Sequence, residues 1–299
     1  MKNRMKKLFL CVLLLGCVSA ALAQESRVLE SLTLKSQILK KEMKYSLYLP
    51  AGYDSSQRRY PVLYLLHGGG GNDSDWIQLG NMQAITDASV RAGQSDAMII
   101  VMPDAEMTFY LNHLRGEYNY EDYFIKELLP HIDKTYRTRA EKRFRSITGL
   151  SMGGFGSLLY SLHHPELFQS CYAMSAAVRT EEEINKLTLP EFQRRYKTAL
   201  GEMKDGDARK NKEFWDFWRQ NSILDLMKNL SDKQKNAVRF FLDCGDDDGA
   251  LYRGNSLLHV LMREQSIPHE YRVRDGAHTW EYWRTGLPEA LRFISAGMR

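Results

Sequence analysis

Cysteine, proline and unbalanced charge are all scarce in these 299 residues. Of four cysteines, Cys11 and Cys17 lie in the N-terminal apolar stretch; Cys171 and Cys244 each sit in an apolar, strand-like run. No C-x-x-C pair or His/Cys cluster is present, so a structural zinc site is not indicated. Two buried free thiols are expected, although export would permit a disulfide. No Pro/Ser-rich linker, low-complexity tract or internal repeat divides the chain, so one domain is expected. Lysine and arginine number 41 against 37 acidic residues, but Lys2, Arg4, Lys6 and Lys7 fall in the first 23 residues, which hold no acid. The remainder carries 37 of each sign, which gives no case for a nucleic-acid or acidic-membrane partner.

Long hydrophobic runs are also missing. Leu8–Leu15 is too short to span a bilayer. With the basic residues before it and Ala21-Leu22-Ala23 after it, it reads as a signal peptide over 1–23. A single exported domain, secreted or periplasmic, is expected over 24–299. Leu14-Leu15-Gly16-Cys17 offers an alternative, a lipoprotein anchored at Cys17.

What is present is a strand-helix alternation. Leu32 and Leu34, then Tyr45, Leu47 and Leu49, alternate with polar residues, as an antiparallel pair at a sheet edge does. Val62–Leu66 and Met98–Met102 are continuously apolar, the pattern of strands covered on both faces. Phe144 to Thr148 is a poor strand by composition, interrupted by Arg145 and Ser146. Ser170–Ser175, Val238–Cys244 and His269–Val273 follow as strands. Helices are expected over Gly153–His163, Ser256–Gln265, Thr279–Ala296 and Glu121 to about Tyr136, the last bent by Pro130. The class is α/β, with a mostly parallel, doubly wound sheet.

In such sheets, sites lie beyond the carboxyl ends of the strands. Here those ends are followed by His67-Gly68-Gly69-Gly70-Gly71, Asp104, Ser151, Asp246-Asp247-Asp248 and His278. Gly149-Leu150-Ser151-Met152-Gly153 has the spacing of a nucleophile elbow. Glycines two residues either side let the chain pass close to a serine on a sharp strand-to-helix turn. About 0.1 such matches are expected by chance in a chain of this composition, so the surroundings must carry the reading. The glycine loop can bring a backbone N–H to a developing oxyanion, and Gly69 and Met152 are the candidate donors. A phosphate loop is disfavoured, because Asn72-Asp73-Ser74 follows rather than Gly-Lys-Ser/Thr. His67 is expected to be structural, bonding the loop. Of eight histidines, His278 is the candidate base; His163 and His164 suit a helix end. Its carboxylate partner is open by spacing among Asp246, Asp247 and Asp248, with Asp104 and Asp275 weaker.

Tyr60–Asn72, Gly149–Gly156, Asp243–Asp248 and His278–Trp283 together resemble the esterase D-type branch of the α/β-hydrolases. That group includes feruloyl and acetylxylan esterases, S-formylglutathione hydrolases and, more distantly, mycolyltransferases. The resemblance runs from about Lys44 to Arg292. It implies Asp248 as the acid, three residues after the glycine of the Cys-Gly pair. It also implies acyl transfer through an acyl-enzyme on Ser151, with no metal or organic cofactor. Gly249-Ala250 departs from a family that often has a large apolar residue there, which bears on pocket shape.

The resemblance and the leader together point to an exported ester, an acetyl or feruloyl group on plant polysaccharide. Alternatives are another exported ester such as a siderophore lactone, acyl transfer to a glycan, or a non-catalytic glycan-binding member. The region 179–236 is expected to form a lid-like insertion. Its Phe214-Trp215-Asp216-Phe217-Trp218 run could be a platform for a sugar or phenolic ring, but at helical spacing the buried face of a lid helix is favoured. Tyr110, Asn112 and Trp280 are candidate pocket residues.

Overall fold

The computed structural model describes residues 25–201 and 206–298. The expected signal peptide over 1–23 and the alternative lipid anchor at Cys17 lie outside the described residues. Among the described residues no helix is long and apolar enough to cross a membrane.

Eight strands form one sheet: β1 (Arg27–Lys35), β2 (Glu42–Leu49), β3 (Val62–Leu66), β4 (Ile99–Pro103), β5 (Arg145–Leu150), β6 (Ser170–Met174), β7 (Arg239–Gly245) and β8 (His269–Arg274). Their order is β1-β2-β4-β3-β5-β6-β7-β8. β1 pairs with β2, and β2 with β4, antiparallel; the other pairs are parallel. The helices that build the site are α1 (Met82–Arg91), α2 (Met152–His163), α3 (Leu189–Leu200), α4 (Lys212–Asn221), α5 (Tyr252–Glu264) and α6 (Trp280–Met298).

The continuous apolar run of β3 has a direct physical reading. Val62, Tyr64 and Leu66 join a core with Leu158 of α2 and Leu258 of α5, while Leu63 and Leu65 join a second core with Met82 of α1 and Leu287 of α6. Alternate side chains point to opposite faces and both faces are covered. All five residues of β3 are fully buried, each Val or Leu contributing about 1.5–3 kcal/mol relative to exposure.

Two segments differ from expectation. Arg145–Leu150 is a wholly buried central strand despite its composition. Arg145 is accommodated because its guanidinium donates to Asp133 at 2.7 Å and to the Ala140 carbonyl at 2.8 Å. The helix through Pro130 winds as a wider π-type turn over Phe124–Leu128 before resuming as an α-helix. Proline lacks the N–H that a regular ladder needs there. Cys171 and Cys244 are free and buried, and burial raises both thiols to about 12.

Candidate active site

β5 ends at Leu150, and the chain turns so sharply into α2 that Ser151 adopts φ 55° and ψ −115°. An L-residue holds such a conformation only where its surroundings over-determine it. Here the Ser151 N–H donates to the Met174 carbonyl at 2.9 Å, and its carbonyl accepts from Phe155 and Ala177 at 3.0 Å each. The flanking glycines are required by contact. A Cβ on Gly153 would stand 2.5 Å from the Leu66 carbonyl oxygen, and one on Gly149 2.6 Å from the Gly153 backbone.

The structure brings Ser151, His278 and Asp248 together from three different strand ends. Ser151 Oγ lies 3.0 Å from His278 Nε2, and His278 Nδ1 lies 2.7 Å from Asp248 Oδ2. Asp248 is fully buried and accepts a second bond at Oδ1 from the Leu251 N–H at 3.1 Å. Burial pushes its carboxyl up, but His278, Ser175 and the Leu251 amide outweigh that, and it titrates below the usual aspartate range. An ionised acid beside Nδ1 fixes the proton there and leaves Nε2 free to accept from the serine.

The neighbouring acids do other things. Asp246 Oδ1 accepts from the Gly276 N–H at 3.0 Å, tying the acid loop to the histidine loop. Asp246, Asp247 and Asp275 stand together, exposed, on the outer side of these loops. Asp104 lies 3.7 Å from His67.

The glycine loop arches over the serine. A Cβ on Gly68 would lie 3.5 Å from Ser151 Cβ. His67 fastens the loop. Its Nδ1 bonds the Gly68 carbonyl at 2.7 Å while its Nε2 accepts the Ala105 N–H at 2.8 Å, so it is a neutral ring with the proton on Nδ1. Burial lowers its basicity accordingly. Met152 opens α2, where an N–H has no partner within the helix.

The three candidate pocket residues have distinct surroundings. Tyr110 is fully buried and does not face a pocket. Its hydroxyl donates to the His67 carbonyl at 3.0 Å and its ring packs on Gly156, so it props the glycine loop from below. Asn112 is engaged with Asp122, donating to Oδ1 at 3.2 Å and accepting its N–H at 2.9 Å. Trp280 is half-buried, edge-on to Trp76 at 5.2 Å and to Trp283 at 5.4 Å.

Other supporting residues escaped the sequence reading. Trp283 stands edge-on to the His278 ring, centroids 4.9 Å apart, and donates to Ser175 Oγ at 3.2 Å. Asp243 is wholly buried in β7, and a carboxylate inside the apolar run Phe240–Cys244 was the signal that could have found it.

Helices α3 and α4 lie between β6 and β7 in sequence and pack over α2. Phe214 is buried, and Trp215 donates to the Arg209 carbonyl at 2.7 Å, as a lid helix turned inward requires. Between the lid and α2 is an apolar cavity of about 20 Å³ lined by Phe109, Phe155, Ala177, Tyr196 and Trp218 among others. Among the described residues the buried Trp218 indole N–H has no partner. Ala177 is the residue whose amide bonds the Ser151 carbonyl.

The family model "Esterase" matches residues 36–294. Over 163 residues the chain is 34% identical to an endo-1,4-beta-xylanase/feruloyl esterase of Xylanibacter ruminicola, a match covering 52% of this chain and 22% of that protein. It is 24% identical over 250 residues to an acetyl esterase of Caldicellulosiruptor saccharolyticus, covering 81% and 86% respectively. The chain spans 22% to 28% of the length of the first curated relatives it matches. Among solved structures, a ferulic acid esterase superposes with a TM-score of 0.77 at 31% identity, covering 92% of this chain and all of that one. An S-formylglutathione hydrolase from Staphylococcus aureus gives 0.70 at 16% identity, covering 91% of this chain and 100% of that one, a likeness of fold. The sheet order and these neighbours make the fold an α/β-hydrolase.

Proposed function

Because this chain belongs to the esterase family, we propose that it is an exported serine carboxylesterase that removes acetyl or feruloyl groups from xylan. The observation that carries the reading is the unbroken hydrogen-bond chain Ser151–His278–Asp248, at 3.0 and 2.7 Å. The names of the relatives, a feruloyl esterase and an acetyl esterase, support the substrate class.

In this mechanism His278 Nε2 takes the Ser151 proton as Oγ attacks the ester carbonyl carbon. The Gly69 and Met152 N–H groups are assigned to the oxyanion, and a preoriented donor of this kind is worth about 3–4 kcal/mol in comparable sites. The carbon–oxygen bond to the alcohol breaks, and His278 returns its proton to the departing oxygen. Water then gives a proton to His278, attacks the acyl-enzyme and releases the acid, and Ser151 regains its proton. Asp248 holds the imidazole tautomer and stabilises the imidazolium. Phe155 and Ala177, whose amides bond the Ser151 carbonyl, line the apolar cavity that we assign to the acyl side of the substrate.

The test is hydrolysis of p-nitrophenyl acetate, methyl ferulate and acetylated xylan by residues 24–299. Turnover of both small esters with acetate released from the polymer is expected. Inertness toward all three contradicts the reading.

A further inference from the structure

We propose that an arginine-walled depression at the opposite end of the sheet from Ser151 binds the carboxylates of a uronate-bearing polysaccharide. The inference is independent of the ester chemistry. The depression is lined by Arg58, Arg59, Thr138, Arg139, Ala140 and Glu141. Two segments are zipped together to make it: the Tyr60 N–H donates to the Arg137 carbonyl and the Arg139 N–H to the Tyr60 carbonyl, both at 2.8 Å.

The guanidinium groups are held in place rather than left to wander. Arg139 lies over the Phe144 ring at 3.1 Å from its centroid, with Arg143 on the same ring at 4.4 Å. Arg58 lies over Tyr60 at 5.3 Å, and Arg59 donates to the Thr138 carbonyl at 3.1 Å. Stacking uses the faces of these groups and leaves N–H edges for a planar acceptor. Ordering them beforehand lowers the entropy lost on binding.

They are also outnumbered by no acids of their own: three arginines and one glutamate line the depression. Among the described residues Arg58, Arg59, Arg139 and Arg143 form no ion pair. Asp133 is paired with Arg145 at 2.7 Å and Asp54 with Arg27 at 3.0 Å, and among the described residues Glu141 is the one acid that lines the depression. In a chain whose charges otherwise balance after the leader, this is a local excess of cations. A carboxylate accepts two parallel N–H bonds from one guanidinium, which matches the donors on offer. None of the exposed large apolar residues, Leu79, Tyr252, Leu257, Val260 and Val273, lines it to enter a membrane.

The position separates binding from chemistry. Tyr60 precedes β3 and Phe144 precedes β5, whereas Ser151 follows β5. Six residues of strand put roughly 20 Å between the two ends. A polymer held at the arginines leaves the serine open, so the surface retains the protein on an acidic glycan while the site works on esters.

The experiment is retention of the mature chain on immobilised polygalacturonate, with neutral arabinoxylan and phosphatidylglycerol vesicles as parallel arms. Retention by polygalacturonate alone, falling steeply with added salt, is expected. Arg58→Glu/Arg139→Glu should weaken it at least tenfold. Lys35→Glu/Lys44→Glu, which makes the same change in net charge elsewhere on the surface, should change it less than twofold. Thermal unfolding checks that each variant is folded. No retention, equal losses in the two double variants, or binding to vesicles in preference to the polymer overturns the proposal.

Discussion

Arg274 Nη2 lies 2.8 Å from Asp243 Oδ2, joining β8 to β7 directly behind the loops that carry His278 and Asp248. Asp243 is wholly buried and also accepts from the hydroxyls of Tyr172, at 2.7 Å, and Tyr282. Three strands and α6 therefore meet on one carboxylate. Removing one partner of a buried pair leaves an uncompensated charge, at about 3–5 kcal/mol. Arg274 is part exposed, so water moderates the loss, and Arg274→Ala is expected to cost about 3 kcal/mol. Urea unfolding checks it; a change below 1 kcal/mol would show the cluster to be incidental.

Steric contact at the elbow makes a contrasting pair. A Cβ on Gly153 meets the backbone oxygens of Leu66 and His67 at 2.5 and 2.6 Å, and neither can rotate away. Gly153→Ala is expected to destabilise by about 3 kcal/mol or more and to abolish turnover. Gly249 has open space around the position of a Cβ. Gly249→Leu should leave the melting temperature within about 2 °C of wild type, since isolated surface substitutions stay within about 0.5 kcal/mol. Any change it makes should appear in KM.

A pH effect follows from the end of α2. His163 Nδ1 lies 2.8 Å from Glu121 Oε1, and its Nε2 lies 3.2 Å from the Gln220 carbonyl of α4, so both ring nitrogens face acceptors. His164 Nε2 lies 2.9 Å from the same Glu121 oxygen, and Glu166 lies 3.8 Å from its other nitrogen. Burial works against a charged His163, but Glu121 and the Gln220 carbonyl outweigh it, and its basicity rises. Burial likewise opposes ionised Glu121, and the two histidines outweigh that and lower its pKa. A raised histidine stabilises fully below its ordinary value of about 6.5, and the gain is lost as pH rises through the higher folded value. A lowered glutamate stabilises above about 4.3, and the gain is lost as pH falls through the depressed one. The clamp between α2 and the lid is thus strongest from about pH 4.3 to 6.5. Between pH 6 and pH 9 the wild type should lose more melting temperature than His163→Gln. Equal losses would contradict the clamp.

Trp218 lines the small apolar cavity together with Phe155 and Ala177. Its space, about 20 Å³, is that of a single water, so an aromatic acyl group would displace this ring while an acetyl group would not. Trp218→Ala is expected to raise the ratio of kcat/KM for methyl ferulate over p-nitrophenyl acetate several-fold. An unchanged ratio would place the acyl group elsewhere.

The elements most legible in the sequence were those whose burial is symmetrical. β3 and β4 announced themselves as continuous apolar runs because helices cover both faces. The Ser151 elbow was legible because glycine is the only residue whose backbone can approach Leu66 so closely. β5 was not, since Arg145 reads as solvent-facing until Asp133, 12 positions earlier in the chain, is brought beside it. Tyr110 and Asn112 looked like pocket residues for the same reason. A polar aromatic or amide in a loop carries no sign of whether its partner is a ligand or, as here, the His67 carbonyl and Asp122. Trp283 lay in plain view, but its contacts with Ser175 and with His278 depend on how α6 meets the end of β6.

The central claim is that acyl transfer passes through Ser151. The direct measurement is peptide mass mapping of protein quenched in acid during turnover of p-nitrophenyl acetate, beside Ser151→Ala treated identically. One acetyl group on the Ser151 peptide, none in the variant, and a loss of turnover of at least about 10³-fold in Ser151→Ala are expected. Undiminished turnover in the variant, or an acetyl group on a different residue that forms at the rate of turnover, would contradict it.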